Sequence, residues 1–280
     1  MSLSFRRIAL IFAPVIVLLA VIASGFATGT ATAGTTVKSP HRAYHAAAVP
    51  PVDHQLCYNA YNNQFQIPSG IRLINQFSPN GFVPVINPVA VVHCNPVQKT
   101  LPSGVVYPIT NPNAHLACYS ITESTQPTPT VVVTNQFGSA TLQPAQPNLL
   151  CVPSWKSLTG PPGKSPTTPP NLNHFTCYPV KVVSGAYTPP PVMLQDEFSS
   201  VPVHATVNPV PSELCLPTEK ILPSGQVFPI INATEHLLCF PVSPTPIISP
   251  VWDENQFGTS PVSISSTKWL CPPSTKTVVS

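Results

Sequence analysis

Charge is what this chain has least of. Asp, Glu, Lys and Arg together make 8 % of its 280 residues, about a third of the usual quarter. The formal net charge is only +3, so there is no electrostatic case for nucleic acid or an anionic membrane surface as partner. Glycine is scarce as well, at 12 residues, which excludes collagen, a flexible Gly/Ser chain and a Gly-rich phosphate loop. Acids are missing where a glycosidase needs them: between His54 and Lys156 the one carboxylate is Glu123, and that chemistry takes two flanking the bond. No Gly-x-Ser-x-Gly elbow and no Cys-x-x-Cys occur, so neither a hydrolase nucleophile nor a paired-thiolate zinc site is written in. Long proline-free stretches are absent too. After the N-terminal segment the longest runs from Val52 to Ile67, and an interior proline costs a helix roughly 3 kcal/mol. A helical architecture is excluded.

What is present begins with an export address. Met1 to Ala33 reads as a secretory signal, with Arg6 and Arg7 as the positive start, Ile8 to Ile22 as the apolar stretch and Ala31-Thr32-Ala33 as the cleavage site. Left uncleaved, Ile8 to Ala27 is long enough to anchor the chain in a bilayer, and that is the only membrane contact expected. Either way the remainder is exported, to be secreted or held at the cell surface. Gly34 to Asp53 reads as a linker, with His41 and His45 solvated in it.

Beyond the linker the sequence repeats. His-x-x-Cys-aromatic occurs at His54/Cys57/Tyr58, His115/Cys118/Tyr119, His174/Cys177/Tyr178 and His236/Cys239/Phe240. An amide or acid pair and a phenylalanine follow: Asn75-Gln76-Phe77, Asn135-Gln136-Phe137, Asp196-Glu197-Phe198 and Asn255-Gln256-Phe257. Cys-x-Pro-x-x-Lys then closes each module, at Cys94/Lys99, Cys151/Lys156, Cys215/Lys220 and Cys271/Lys276. All eight cysteines fall on this pattern, two per module.

Cys57 to Cys177 and Cys94 to Cys215 span 120 and 121 residues, and the connectors Leu101-Pro102-Ser103-Gly104 and Leu222-Pro223-Ser224-Gly225 repeat too. Modules therefore come in pairs. Two domains are expected, 54–156 (modules 54–99 and 115–156) and 174–276 (modules 174–220 and 236–276), with 157–173 a Pro/Gly-rich spacer and 277–280 a tail. β-rich runs such as Thr130 to Thr134 and Val201 to Val207, punctuated by proline and glycine, predict an all-β fold. Each domain is expected to be a small β-sandwich or barrel of two pseudo-symmetric halves.

The triple motif resembles an uncharacterised family of tandem domains in bacterial secreted proteins, catalogued as a domain of unknown function. The resemblance covers about Asp53 to Lys276 and implies export and repetition. It brings no activity, ligand or catalytic residue.

An exported chain with an even cysteine count reads as disulfide-bonded. The pairing taken is one bridge per module, Cys57–Cys94, Cys118–Cys151, Cys177–Cys215 and Cys239–Cys271, and any pairing that obeys the internal symmetry fits the spacing equally. His54, Cys57 and Cys94, with their counterparts, are the one metal-ligand trio to weigh; neither metal nor cofactor is expected. The recurring His54, His115, His174 and His236 read as strand-end anchors, Phe77, Phe137, Phe198 and Phe257 as structural, and Lys99, Lys156, Lys220 and Lys276 as solvated strand ends. Asp196 and Glu197 stand where other modules carry amides, which reads as turn hydrogen bonding rather than acid catalysis.

With no catalytic set, the expectation is a non-enzymatic exported repeat protein, a structural or interaction module meeting an extracellular protein or glycan. A carbohydrate-binding module is the alternative carried by Trp155, Trp252 and Trp269, and a metal-dependent secreted hydrolase is the third.

Overall fold

A computed structural model describes residues 52–62, 64–123, 128–164, 167–243 and 250–279. The expected signal segment, His41, His45 and all of the linker before Val52 lie outside the described residues. Among the described residues there is no helix. The all-β reading holds.

Module 1 contributes β1 (Gln55–Asn62), β2 (Arg72–Asn75), β3 (Ser78–Phe82) and β4 (Val85–Pro96), then β5 (Gln98–Thr100) and β6 (Val106–Tyr107). Module 2 contributes β7 (His115–Thr122), β8 (Val131–Asn135), β9 (Gly138–Pro144) and β10 (Leu149–Ser157). Module 3 runs through β11 (His174–Tyr187), β12 (Val192–Gln195), β13 (Val203–Ala205) and β14 (Glu213–Ile221), followed by β15 (Val227–Phe228). Module 4 ends the chain with β16 (His236–Pro241), β17 (Val251–Asn255), β18 (Gly258–Cys271) and β19 (Pro273–Val278).

Each module opens and closes with a cysteine-bearing strand, and these eight strands pair in a ring. β1 pairs β4, β4 pairs β7, β7 pairs β10, β10 pairs β11, β11 pairs β14, β14 pairs β16, β16 pairs β18, and β18 returns to β1, all antiparallel. The result is a closed eight-stranded barrel, which has no free edges along its ring and an interior that side chains can fill. Here sulfur does much of the filling. Cys57 stands directly opposite Cys94, Cys118 opposite Cys151 and Cys177 opposite Cys215, and disulfides join these pairs and Cys239–Cys271. Neighbouring bridges touch: Cys57 Sγ lies 3.7 Å from Cys271 Sγ, and Cys151 Sγ 3.8 Å from Cys177 Sγ. Leu116, Leu149, Phe175, Leu237 and Trp269 complete this inner core.

The two module pairs therefore do not stand apart as separate domains. Modules 2 and 3 meet along β10–β11 and modules 4 and 1 along β18–β1, so residues 52–279 form one body. A barrel closes only when its last strand finds its first, and a repeat period carries no information about that partner. The spacer is part of the body too: Trp155 Nε1 donates to the Thr167 carbonyl at 2.9 Å, and the Lys164 amide donates to Glu254 Oε2 at 2.9 Å. Asp53, expected in the linker, is buried and accepts from the Thr110 and Asn111 amides at 3.0 and 2.7 Å.

Outside the barrel, each module's central hairpin crosses to the module two places on. β2 pairs the end of β14, β8 pairs β19, β12 pairs β5 and β17 pairs the end of β10. The Cys-x-Pro-x-x-Lys motif is the physical record of this crossing. In β10, Leu149 to Cys151 pair β11 while Trp155 to Ser157 pair β17. Pro153 sits at the switch, where a residue with no N–H to donate leaves no ladder bond broken. Pro217 plays the same part in β14, between its pairing with β16 and with β2.

Candidate functional site

Each hairpin turn is built the same way. The side-chain oxygen of Asn75, Asn135, Asp196 or Asn255 accepts the amide of the phenylalanine two residues on, at 2.8–3.0 Å, an Asx turn. This is the role expected for Asp196. The phenylalanine then packs edge to face on the post-cysteine aromatic two modules away: Phe77 on Tyr178, Phe137 on Phe240, Phe198 on Tyr58 and Phe257 on Tyr119, with centroids 5.0–5.4 Å apart. Where that aromatic carries a hydroxyl, the turn residue reaches it. Asn75 Nδ2 donates to Tyr178 Oη at 2.9 Å, Asn255 Nδ2 to Tyr119 Oη at 3.0 Å, and Tyr58 Oη donates to Asp196 Oδ2 at 2.8 Å. Phe240 has none, and Asn135 Nδ2 donates to Ser274 Oγ instead.

Three of the four repeated lysines are not solvated strand ends; Lys276 is half-buried between exposed neighbours. Lys99 and Lys220 are fully buried, and the ammonium end of Lys156 is shielded as well. The reason is the same crossing: the Lys position pairs with the hairpin of the opposite module, Lys99 with Leu194 and Lys220 with Leu73. Each amine then lies over the phenylalanine of the next module: Lys99 over Phe137, Lys156 over Phe198, Lys220 over Phe257 and Lys276 over Phe77, at 4.0–5.0 Å. Cation–π attraction replaces part of the lost hydration.

Three of the four histidines meet the turn of the next module, His115 through Glu197, whereas His236 Nδ1 faces the Thr234 carbonyl at 3.0 Å. Gln136 Nε2 lies 2.7 Å from His54 Nε2, which also meets Lys99 Nζ at 3.0 Å, and Gln256 Nε2 lies 3.2 Å from His174 Nε2. Burial pushes the His54 imidazole down to about 3 and the Lys99 amine down to about 7. Among the described residues Lys220 Nζ has no hydrogen-bond partner, and burial pushes it down to about 6.

Three of these four stations share the same residue types, His, Gln, Phe and Lys. The second is different, and repetition itself exposes the difference, because the modules serve as each other's reference. Where the other modules have Leu150, Leu214 and Leu270 before their closing cysteine, module 1 has His93; where they have Val152, Leu216 and Pro272 after it, module 1 has Asn95. In the hairpins, Asp253 replaces Leu73, Val133 and Leu194, and Glu197 replaces glutamine. The fold brings all four substitutions to one place, around Lys156. Its amine donates to Asn95 Oδ1 at 2.9 Å and pairs with Glu197. The same Asn95 oxygen lies 2.9 Å from His93 Nε2 and 3.1 Å from His115 Nδ1. Asn95 Nδ2 donates to Asp196 Oδ2 at 2.9 Å, and His93 Nδ1 meets Asp253 Oδ2 at 3.1 Å. His93, Asn95 and Asp253 are wholly excluded from solvent. Both nitrogens of His93 face side-chain oxygens, Nε2 that of Asn95 and Nδ1 that of Asp253. Burial pushes Lys156 down from the ordinary lysine range, while Glu197 beside it works the other way. Reading the carboxylates domain by domain misses this cluster, whose acids come from modules 3 and 4 and whose bases come from modules 1 and 2.

The metal-ligand trio does not survive: Cys57 and Cys94 are bonded to each other, so no thiolate remains beside His54. Trp269 lies inside the barrel among the disulfides, and Trp155 is engaged by the spacer. The three tryptophans therefore form no common exposed platform.

A family model described as a repeat of unknown function, DUF7450, matches residues 115–272. The chain belongs to that family. The match starts at His115, the opening histidine of module 2, and ends one residue past Cys271, so it spans modules 2, 3 and 4. No curated protein and no solved structure matches.

Proposed function

We propose that this DUF7450 protein is an exported, non-enzymatic structural or interaction module, held outside the cytosol as a secreted or surface-bound barrel and presenting its outer face to an extracellular protein or glycan. One observation carries the reading: the repeat signature is spent on closing each module and fastening it to the others. The cysteines fill the lumen, the phenylalanines and turn residues bind the opposite module, and the lysines cap the next one. A signature with those contacts selects for assembly. Four buried disulfides suit an oxidising compartment, and a lumen packed with sulfur and aromatics leaves no interior channel for a substrate.

The test is to incubate the oxidised full chain, expressed without residues 1–33, with panels of cell-wall polymers, soluble glycans and extracellular-matrix proteins. The expected result is saturable binding to one class with no change in the ligand's mass. Turnover of any panel member overturns the reading.

A further inference from the structure

We propose that Lys156 and Asn95 are joined by an intramolecular amide bond, formed by the lysine amine attacking the Asn95 side-chain carbonyl carbon with loss of ammonia. The geometry supplies each part that such a reaction needs. The nucleophile is in place: Lys156 Nζ lies 2.9 Å from Asn95 Oδ1, one bond from the carbon it attacks. The electrophile is polarised, because that one oxygen faces Lys156 Nζ, His93 Nε2 and His115 Nδ1 within 3.1 Å. Fixed donors aimed at an oxygen that becomes negative are what stabilises acyl transfer. A carboxylate stands at each nitrogen, Glu197 against the attacking amine and Asp196 Oδ2 accepting from the departing Nδ2. Phe198 lies under the amine at 4.0 Å and helps keep water from competing. Desolvation of the lysine supports the same chemistry by making the neutral amine accessible.

The step balances without any co-reactant. Lys156 starts as an ammonium and gives one proton to Glu197. The free amine adds to the Asn95 side-chain carbon, and the new C–N bond forms as the carbonyl electrons move onto oxygen. A second proton leaves Nζ and is relayed through Asp196 to Nδ2. The old C–N bond then breaks, the carbonyl re-forms, and the departing ammonia takes up the proton held by Glu197. One ammonium leaves, both carboxylates return to their starting state and nothing is oxidised or reduced.

Only this station is equipped for it. The residues at the Asn95 position of the other modules, Val152, Leu216 and Pro272, have no side-chain carbonyl. The bond would strap β4 to β10 over the intervening β7, closing a 61-residue loop that contains the Cys118–Cys151 bridge. It is a fifth covalent tie, of a kind that reductants do not cut.

Peptide mapping of the wild-type protein, reduced, alkylated and digested with trypsin, tests this directly. The expected product is one branched peptide carrying both Asn95 and Lys156, lighter than the two separate peptides by one ammonia, with no cleavage after Lys156. On a denaturing gel under reducing conditions, the wild-type chain should run apart from N95A and K156R, which keep eight cysteines and lack the loop. Recovery of Asn95 and Lys156 in unlinked peptides of unmodified mass overturns the proposal whether or not the variants fold. A link that joins Lys156 to Glu197 with loss of water overturns it as well.

Discussion

The side-chain amide of Asn75 donates to the phenol oxygen of Tyr178, 103 residues further along the chain, at 2.9 Å. Phe77 packs edge to face on the same ring with centroids 5.0 Å apart. Module 1 is thereby fastened to module 3, and Phe257 and Asn255 do the same for module 4 on Tyr119 of module 2. Replacing Phe77 with alanine should cost about 3–5 kcal/mol, whereas Tyr178→Phe should cost about 1 kcal/mol through the unpaired Asn75 amide. Urea unfolding of the oxidised protein measures both. Equal costs for the two would mean that the hydrogen bond, not the packing, holds the crossing.

A closed barrel predicts shared cooperativity. The oxidised full chain should unfold in one transition, with tryptophan fluorescence and far-UV dichroism changing together. Residues 174–276 expressed alone lose the β10 partner of β11 and the β1 partner of β18. That fragment should expose its sulfur-lined core, bind a hydrophobic dye and self-associate. Two resolved transitions in the full chain, or a monomeric well-folded half, would refute this.

The disulfides lie in the lumen, with every cysteine at most 5 % exposed. A reductant should therefore leave them intact under native conditions and open all four once denaturant is added, because thiolate attack needs access to sulfur. Loops of 32–38 residues assign each bridge roughly 3.5–4 kcal/mol in the chain-entropy model. The reduced, alkylated chain should accordingly be unfolded at room temperature. Counting alkylated cysteines by mass with and without urea gives the answer.

The buried lysines set a pH dependence. Lys99 and Lys220 hold their proton less well in the folded protein, at about 7 and about 6, than in the unfolded chain, near 10.5. Between those values the unfolded state binds more protons, so stability should rise with pH from about 7 to about 10. Each unmatched proton contributes on the order of 1.4 kcal/mol per pH unit. Above that range the buried tyrosines reverse the trend: burial pushes Tyr178 up to about 12, so ionisation favours the unfolded chain. Urea midpoints at pH 7, 8.5 and 10 test the sign.

Lys220→Met sharpens that test. The amine has no hydrogen-bond partner among the described residues, and methionine keeps the length of the side chain without a group to desolvate. The variant should be more stable at pH 7 by about 2 kcal/mol and should flatten the alkaline rise. A loss of stability would show that the amine over Phe228 and Phe257 contributes more than its desolvation costs.

The repeat unit, its β character and the placement of two cysteines per module are all local facts, legible in the one-dimensional pattern because neighbouring positions in a strand alternate faces and prolines break helices. The turn role of Asp196 is local too. The Cys-x-Pro-x-x-Lys lysines misled for the same reason: a lysine at a strand end is solvated unless something crosses over it, and what crosses Lys99 and Lys220 comes from a hairpin two modules away. His93, Asn95 and Asp253 lie off the shared signature, and they stand out only when each module is compared with the other three.

By itself, then, the sequence determined a four-module β chain bound by its own cysteines, since periodicity, propensity and composition act over a few residues. Which module meets which was decided by the closed barrel. Ring closure and crossing hairpins are satisfied by long-range strand pairing, whose hydrogen bonds are the same for any partner, so identical motifs can face one another in a sandwich or in a ring until the whole chain is folded. The cluster around Lys156 exists only in the ring, because its residues come from all four modules.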